Sequence, residues 1–302
     1  RIIDFLIITR YDKRKRKDWR KMNKKIAIIT GASSGFGLLT TLELAKKDYL
    51  VIATMRNLEK QVNLLSQATQ LNLQQKIKIQ QLDVTDQNSI HNFQLFLKEI
   101  QKVDLLVNNA GYANGGFVEE IPVEEYRKQF ETNLFGAISI TRLVLPYMRK
   151  QRSGKIINIS SISGQVGFPG LSPYVSSKYA LEGWSESLRL EVKPFGIDVT
   201  LIEPGSYNTN IWEVGKQLAE NQSDTTSPYK EYMDKIQKHI NSGSDTFGNP
   251  IDVANKIVEI AESKRTNLRY PIGKGVKFMI FAKKILPWRL WEHLVLRSFK
   301  KM

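Results

Sequence analysis

Short apolar runs alternate with longer segments of helical periodicity along most of the chain. Ile26–Thr30, Leu50–Thr54, Ile77–Gln81, Val103–Asn108, Lys155–Ser160, Ile197–Glu203 and Leu268–Ile272 each read as a strand. The first run, Ile26-Ala27-Ile28-Ile29-Thr30, is apolar at consecutive positions, which fits a parallel strand covered on both faces. After it, Leu38, Leu39, Leu42, Leu44 and Ala45 recur at helical spacing, and longer helical segments span 123–150 and 174–194. Strands alternating with helices, joined by right-handed crossovers, predict an α/β fold: a doubly wound, seven-stranded parallel sheet with helices on both faces. No internal repeat, low-complexity tract or second domain interrupts this order, so residues 22–302 are expected to form a single domain.

Composition narrows the chemistry. A chain of 302 residues, 41% hydrophobic, can bury one large core. The absence of cysteine excludes disulfides, thiolate catalysis and cysteine metal sites. His91, His239 and His293 lie far apart without ligand spacing, so no metal is expected. No run reaches the roughly 18 apolar residues of a membrane span, and with no cleavable signal the expected location is cytoplasmic. The net charge is +15, but residues 1–21 carry nine Lys/Arg against Asp4, Asp12 and Asp18 and so account for +6 of it. The chain begins with Arg, and Met22 just before the first strand is the natural-looking start, so residues 1–21 are expected to be translated upstream sequence outside the fold. A short membrane anchor built on Ile2, Ile3 and Phe5–Ile8 is the weaker alternative, because the apolar run is so brief. With that segment set aside, nucleic acid is not an expected partner.

Two constellations carry chemistry. Strand 26–30 runs into Gly31-Ala32-Ser33-Ser34-Gly35-Phe36-Gly37 and then a helix, the geometry that sets a pyrophosphate against backbone N–H groups at a helix N-terminus. A glycine turn alone joins many strands to helices with no ligand; the flanking strand and helix give it weight. Farther on, Tyr174 and Lys178 stand four residues apart, one helical turn, with Ser161 thirteen residues before the tyrosine. A nearby ammonium favours the phenolate and lowers a phenol that titrates near ~10, while a serine hydroxyl can donate to a substrate oxygen. Alone, a Tyr–Lys pair at this spacing is common on helices; what precedes it makes the case.

Together with Asp83-Val84, Asn108-Asn109-Ala110-Gly111, Asn133 and Pro204-Gly205, these motifs fall in the order and spacing of the short-chain dehydrogenases/reductases, which residues 24 to about 272 resemble in their non-extended form. The resemblance implies a Rossmann-type sheet and hydride exchange between a nicotinamide cofactor and a carbonyl or alcohol. The alternative, a catalytically idle NADPH-binding sensor or scaffold, is disfavoured because Asn133, Ser161, Tyr174 and Lys178 are all present. By that resemblance Tyr174 exchanges the proton, Ser161 orients the substrate oxygen, Lys178 assists Tyr174 and grips the nicotinamide ribose, and Asn133 holds a water that links the lysine to solvent. Cofactor contacts are implied for Gly31, Ser33, Ser34, Gly35, Phe36, Gly37, Asp83, Val84, Asn109, Ala110, Gly111, Tyr174, Lys178, Pro204, Gly205 and Thr209. Asp83 could equally cap the helix beginning near Asp86. Strand two ends in Ala53-Thr54-Met55-Arg56-Asn57 with no acid to meet a ribose 2′-hydroxyl, and Arg56 can pair with a 2′-phosphate, so NADP(H) is expected over NAD(H).

The resemblance also implies a homodimer or homotetramer and a substrate lid over about 206–247. Tyr207, Ile211, Trp212, Tyr229, Tyr232 and Met233, with Val166, Phe168 and Leu171, can line a lipophilic pocket or simply pack the lid down. The Thr-x-Arg end of strand two is shared with family members that handle steroids and retinoids. The basic, apolar tail at about 274–302 reads best as helices closing the pocket with lysines toward water, and peripheral membrane contact is the less favoured reading.

Overall fold

The computed structural model describes residues 24–209, 211, 227–234 and 247–301. The expectation for residues 1–21, and most of the segment expected as a lid, lie outside the described residues. Seven strands, β1 (Ile26–Ile29), β2 (Leu50–Met55), β3 (Ile77–Gln81), β4 (Leu105–Asn108), β5 (Gly154–Ile159), β6 (Ile197–Pro204) and β7 (Arg269–Ile272), form one parallel sheet in the order β3-β2-β1-β4-β5-β6-β7. The register aligns Ile26 with Leu50 and Ile29 with Ala53 on one side of β1, and Ala27 with Leu105 on the other. Chain order therefore reverses between β1 and β4, and that switch point opens a crevice beyond the carboxyl ends of the strands.

Alternation along the strands sorts the core into two layers. Ala27, Ile29, Val51, Ala53, Val107 and Ile157 pack under helices α1 (Gly35–Lys46) and α7 (Pro250–Glu262), the latter through Val253, Ile257 and Ile260. Ile26, Ile28, Ile52, Leu106, Ile156 and Val199 pack on the other face. There they meet α3 (Gln87–Ile100), α5 (Gly136–Gln151) and α6 (Ser172–Val192), with Phe93 wholly buried. Both faces are covered, which is why the strands carry apolar residues at consecutive positions. Helices α2 (Gln61–Gln70), α4 (Val123–Phe130), α8 (Val276–Ile285) and α9 (Trp288–Lys301) complete the described set.

Three local differences from the sequence reading have physical causes. β4 begins at Leu105 rather than Val103, because the Val103 N–H and C=O are bonded by the side chain of Gln151 at 2.9 and 3.0 Å rather than by a neighbouring strand. The helix expected over 123–150 is interrupted by a π-helical turn, Glu131–Phe135, between α4 and α5. Asp83 does not cap α3. Asp86 does, accepting from Ser89 N at 2.6 Å, while Asp83 accepts from Thr85 N and Oγ1 at 2.9 and 2.7 Å.

Candidate active site

The crevice begins at the turn after β1. Gly31 and Gly35 have φ of +67° and +54°, left-handed values that glycine adopts without strain. Gly37 serves closeness instead: a Cβ there would lie 2.4 Å from the Gly31 oxygen and 2.5 Å from Asn109 Nδ2. Asn109 fastens the turn from β4 by donating to the carbonyls of Thr30 and Gly31 at 2.9 and 3.0 Å. Thr30 answers, its hydroxyl accepting from the amides of Asn109 and Ala110 at 2.9 and 3.0 Å. No side chain caps α1 at Ser34, so its first-turn amides are left for an acceptor at the crevice. A glycine cradle closed by asparagine and opening on uncapped amides fits a pyrophosphate.

At the end of β2, the Arg56 side chain is 80% exposed, with Nε 4.0 Å from the Asp83 carboxylate. Such a distant, hydrated pair is weak, so the guanidinium is available to an anion. Met55, Arg56, Asp83 and Val84 line the same crevice as Gly31, Ser33, Ser34, Gly35 and Phe36.

Tyr174, Lys178 and Ser161 meet at the carboxyl end of β5. Ser161 follows the strand and caps a short 3-10 turn, accepting from Ser163 N at 3.1 Å. Tyr174 lies in the first turn of α6, buried, its hydroxyl hydrogen-bonded to Ser161. One turn on, Lys178 is buried below it, 5.6 Å from the ring centroid, and donates to the Ile159 carbonyl at 2.7 Å. Burial pushes the phenol up to about 12, with the Ser161 bond pulling the other way, and burial brings Lys178 down to about 8 against the pull of Glu182. The depressed phenol expected from the spacing is thus corrected: burial raises the Tyr174 phenol, and the bond to Ser161 opposes it only in part.

Asn133 sits in the π-helical turn, buried one layer behind. Its Nδ2 donates to the Tyr112 carbonyl and to Ser177 Oγ at 3.0 and 3.1 Å, and its Oδ1 accepts from Tyr112 N at 3.1 Å. The extra residue of the turn directs this asparagine toward the loop after β4, a use of π-turns common near functional sites.

A continuous cavity of about 1570 Å³ joins these parts. Every residue expected at the cofactor lines it except Gly37, which lies beneath the turn, and Ser161, Tyr174 and Lys178 share its wall. Asn108 takes no part in the lining. It ties the sheet by donating to Thr141 and Asn158 at 2.9 and 2.8 Å. Of the expected pocket residues, Phe168, Leu171, Tyr207 and Ile211 line the cavity. Val166 is buried in the core, Tyr229 and Tyr232 pack on Phe117 (4.3 and 6.3 Å between ring centroids), and Met233 is likewise not in the wall. Trp212 is outside the described residues. Among the described residues the tail adds Phe278, Met279, Leu286, Trp291 and Leu294 to the apolar side.

Behind the site, Arg269 of β7 reaches Glu182 at 2.8 Å, Glu186 at 2.6 Å and Glu203 at 3.2 Å. Glu203 is fully buried and also accepts from Gln165. Its carboxyl is pushed up to about 7, first by burial and then by Glu182, with Gln165 and Arg269 opposing. A carboxyl raised by folding favours the protonated form, so stability falls as pH rises from the unfolded value toward the folded one. Between about pH 5 and pH 8 the wild-type melting temperature should drop by several degrees relative to Glu203→Gln, on the order of 2–3 kcal/mol. Parallel melting profiles for the two proteins would rule this out.

Comparison with known proteins follows the same outline. The short chain dehydrogenase family model matches residues 25–219. An uncharacterised oxidoreductase of Bacillus subtilis, YusZ, is 50% identical over 275 residues, covering 91% of this chain and 98% of that protein. A 3-ketodihydrosphingosine reductase of Bacteroides thetaiotaomicron is 36% identical over 270 residues, covering 87% and 92%. Among solved structures, a point variant of actinorhodin polyketide ketoreductase with NADPH superposes with a TM-score of 0.70 at 27% identity, covering 84% of this chain and 97% of that one.

Proposed function

The chain belongs to the short-chain dehydrogenase/reductase family, and from that premise we propose that it is an NADP(H)-dependent reductase of a lipophilic ketone or aldehyde. The observation that carries this reading is the buried Tyr174 hydroxyl, bonded to Ser161 and backed by Lys178, on the wall of a cavity that also holds the glycine turn and Arg56. When bound, the nicotinamide supplies the hydride that reaches the carbonyl carbon. Ser161 orients and polarises the carbonyl oxygen, and Tyr174 gives that oxygen its proton as the carbon–oxygen double bond becomes a single bond. Lys178, held by the Ile159 carbonyl, places a cation under the resulting phenolate and favours it. Asn133 holds the Tyr112 loop and Ser177 in place beside this group. Tyr174 gives this proton in reduction and would take it back in oxidation, so the same group serves either direction.

The preference for the phosphorylated cofactor rests on Arg56 and on the lack of an acid between Ala53 and Asn57. Losing a charge-assisted contact of about 1.5–3 kcal/mol, Arg56→Ala should raise the KM for NADPH roughly tenfold to a hundredfold and barely move that for NADH. Equal catalytic efficiency of the wild type with both cofactors would contradict the assignment. A lipophilic substrate is supported by the apolar wall made by Phe168, Leu171, Phe278, Met279 and Leu294. The relative named as a 3-ketodihydrosphingosine reductase points the same way. The direct test is NADPH consumption with a panel of ketones and aldehydes of increasing chain length, in which efficiency should climb with apolar length.

A further inference from the structure

The two C-terminal helices face two ways at once. Inward, Met279, Ala282, Leu286 and Leu294 border the cavity, and Val276 and Trp291 are buried. Outward, Phe278, Phe281 and Ile285 are 75%, 59% and 59% exposed. Their spacing of three and then four residues puts them on one stripe of α8. Trp288, 63% exposed, extends the apolar surface at the start of α9, where Lys283 Nζ lies 5.2 Å from its ring. Isolated exposed apolar residues are ordinary, but an apolar stripe of this kind marks a contact surface.

The charge around the stripe says what it contacts. Residues 274–301 hold eight Lys/Arg against a single acid, Glu292. Lys277 and Lys284, two turns apart and both exposed, run along the stripe's edge. We infer that this surface docks on an anionic lipid bilayer, with the stripe set into the boundary between headgroups and acyl chains and the lysines on the headgroup phosphates. None of the described helices is long and apolar enough to cross a membrane, so the helices lie on its surface. A second copy of this chain meeting stripe to stripe would press each basic rim against its twin, which anionic lipid avoids. Phe278 belongs both to the stripe and to the cavity wall, so docking sets the mouth of the cavity against the bilayer. A lipophilic substrate would then enter without crossing water. That last use rests on the proposed function, whereas the docking itself does not.

The test is co-sedimentation of the full chain with vesicles of phosphatidylglycerol and phosphatidylethanolamine, against vesicles of phosphatidylcholine alone. The expected result is low-salt binding to the anionic vesicles only, weakened by added salt. Phe281→Ser with Ile285→Ser should weaken it at least about tenfold. Lys277→Gln with Lys284→Gln should do so by about tenfold or more. Both pairs replace exposed side chains and should keep the wild-type melting temperature. Failure to sediment at low salt would overturn the inference. So would binding that both variants retain, which would place the contact elsewhere, as in basic residues 1–21. So would a dimer that the Phe281→Ser, Ile285→Ser variant splits without any vesicle binding by the wild type. Vesicle binding needs no turnover, so an inactive protein that docks would sink the proposed reaction and leave the docking standing.

Discussion

Tyr174→Phe should lower kcat by at least about a hundredfold, and toward ten-thousandfold if no water replaces the lost proton donor, while the affinity for NADPH changes little. The ring of the replacement fills the same buried space, so packing survives and only the hydroxyl bonded to Ser161 is lost. That lost bond should cost about 1 kcal/mol of stability. The comparison to make is single-turnover hydride transfer in wild type and variant, beside a cofactor titration by fluorescence. Turnover within a few-fold of wild type would remove Tyr174 from the reaction. Loss of cofactor binding in step with turnover would mean that the side chain holds the nucleotide rather than the proton.

Gly37→Ala carries the second large effect. A methyl group there would sit 2.4 Å from the Gly31 carbonyl and 2.5 Å from Asn109 Nδ2, and the first of these is backbone that cannot swing aside. Either the turn opens or α1 tilts, and both spoil the amides that face the crevice. Overpacking of this kind costs about 1–3 kcal/mol, and NADPH affinity should fall roughly a hundredfold. Gly183→Ala is the matched control. Gly183 lies inside α6, and an added Cβ would meet nothing within 4 Å. There the gain in helix propensity should stabilise the protein by up to about 1 kcal/mol and leave cofactor binding alone. If Gly37→Ala bound NADPH as tightly as Gly183→Ala, the turn would not be the cradle.

Much of this could be read from the chain because the decisive contacts are local. Consecutive apolar residues at 26–29 require cover on both faces, and the sheet provides it. One helical turn fixes Tyr174 beside Lys178 wherever α6 goes. The pieces that escaped depend on partners far away in sequence. Thr30 reads as the end of a strand, yet its hydroxyl gathers two amides from beyond β4. Asn133 falls inside the helix expected over 123–150, and no spacing rule announces the π-helical turn that holds it. The depressed phenol differs for a related reason: burial, which the sequence does not quantify, raises the phenol instead. The tail was ambiguous because a basic, apolar helix suits both a pocket wall and a lipid surface. In the fold α8 lines the cavity with one face and leaves a second apolar stripe exposed.

We propose that one cavity brings a phosphorylated nicotinamide cofactor, a lipophilic carbonyl and the Tyr174 proton together. This is tested most directly by following NADPH oxidation with lipophilic ketones and aldehydes, with NADH in parallel and Tyr174→Phe as the blank. Turnover with NADPH should stand well above that with NADH, rise with the apolar length of the substrate and be gone in the variant. Tight NADPH binding with no turnover on any lipophilic carbonyl would contradict it and leave a nucleotide-binding protein that senses rather than reduces.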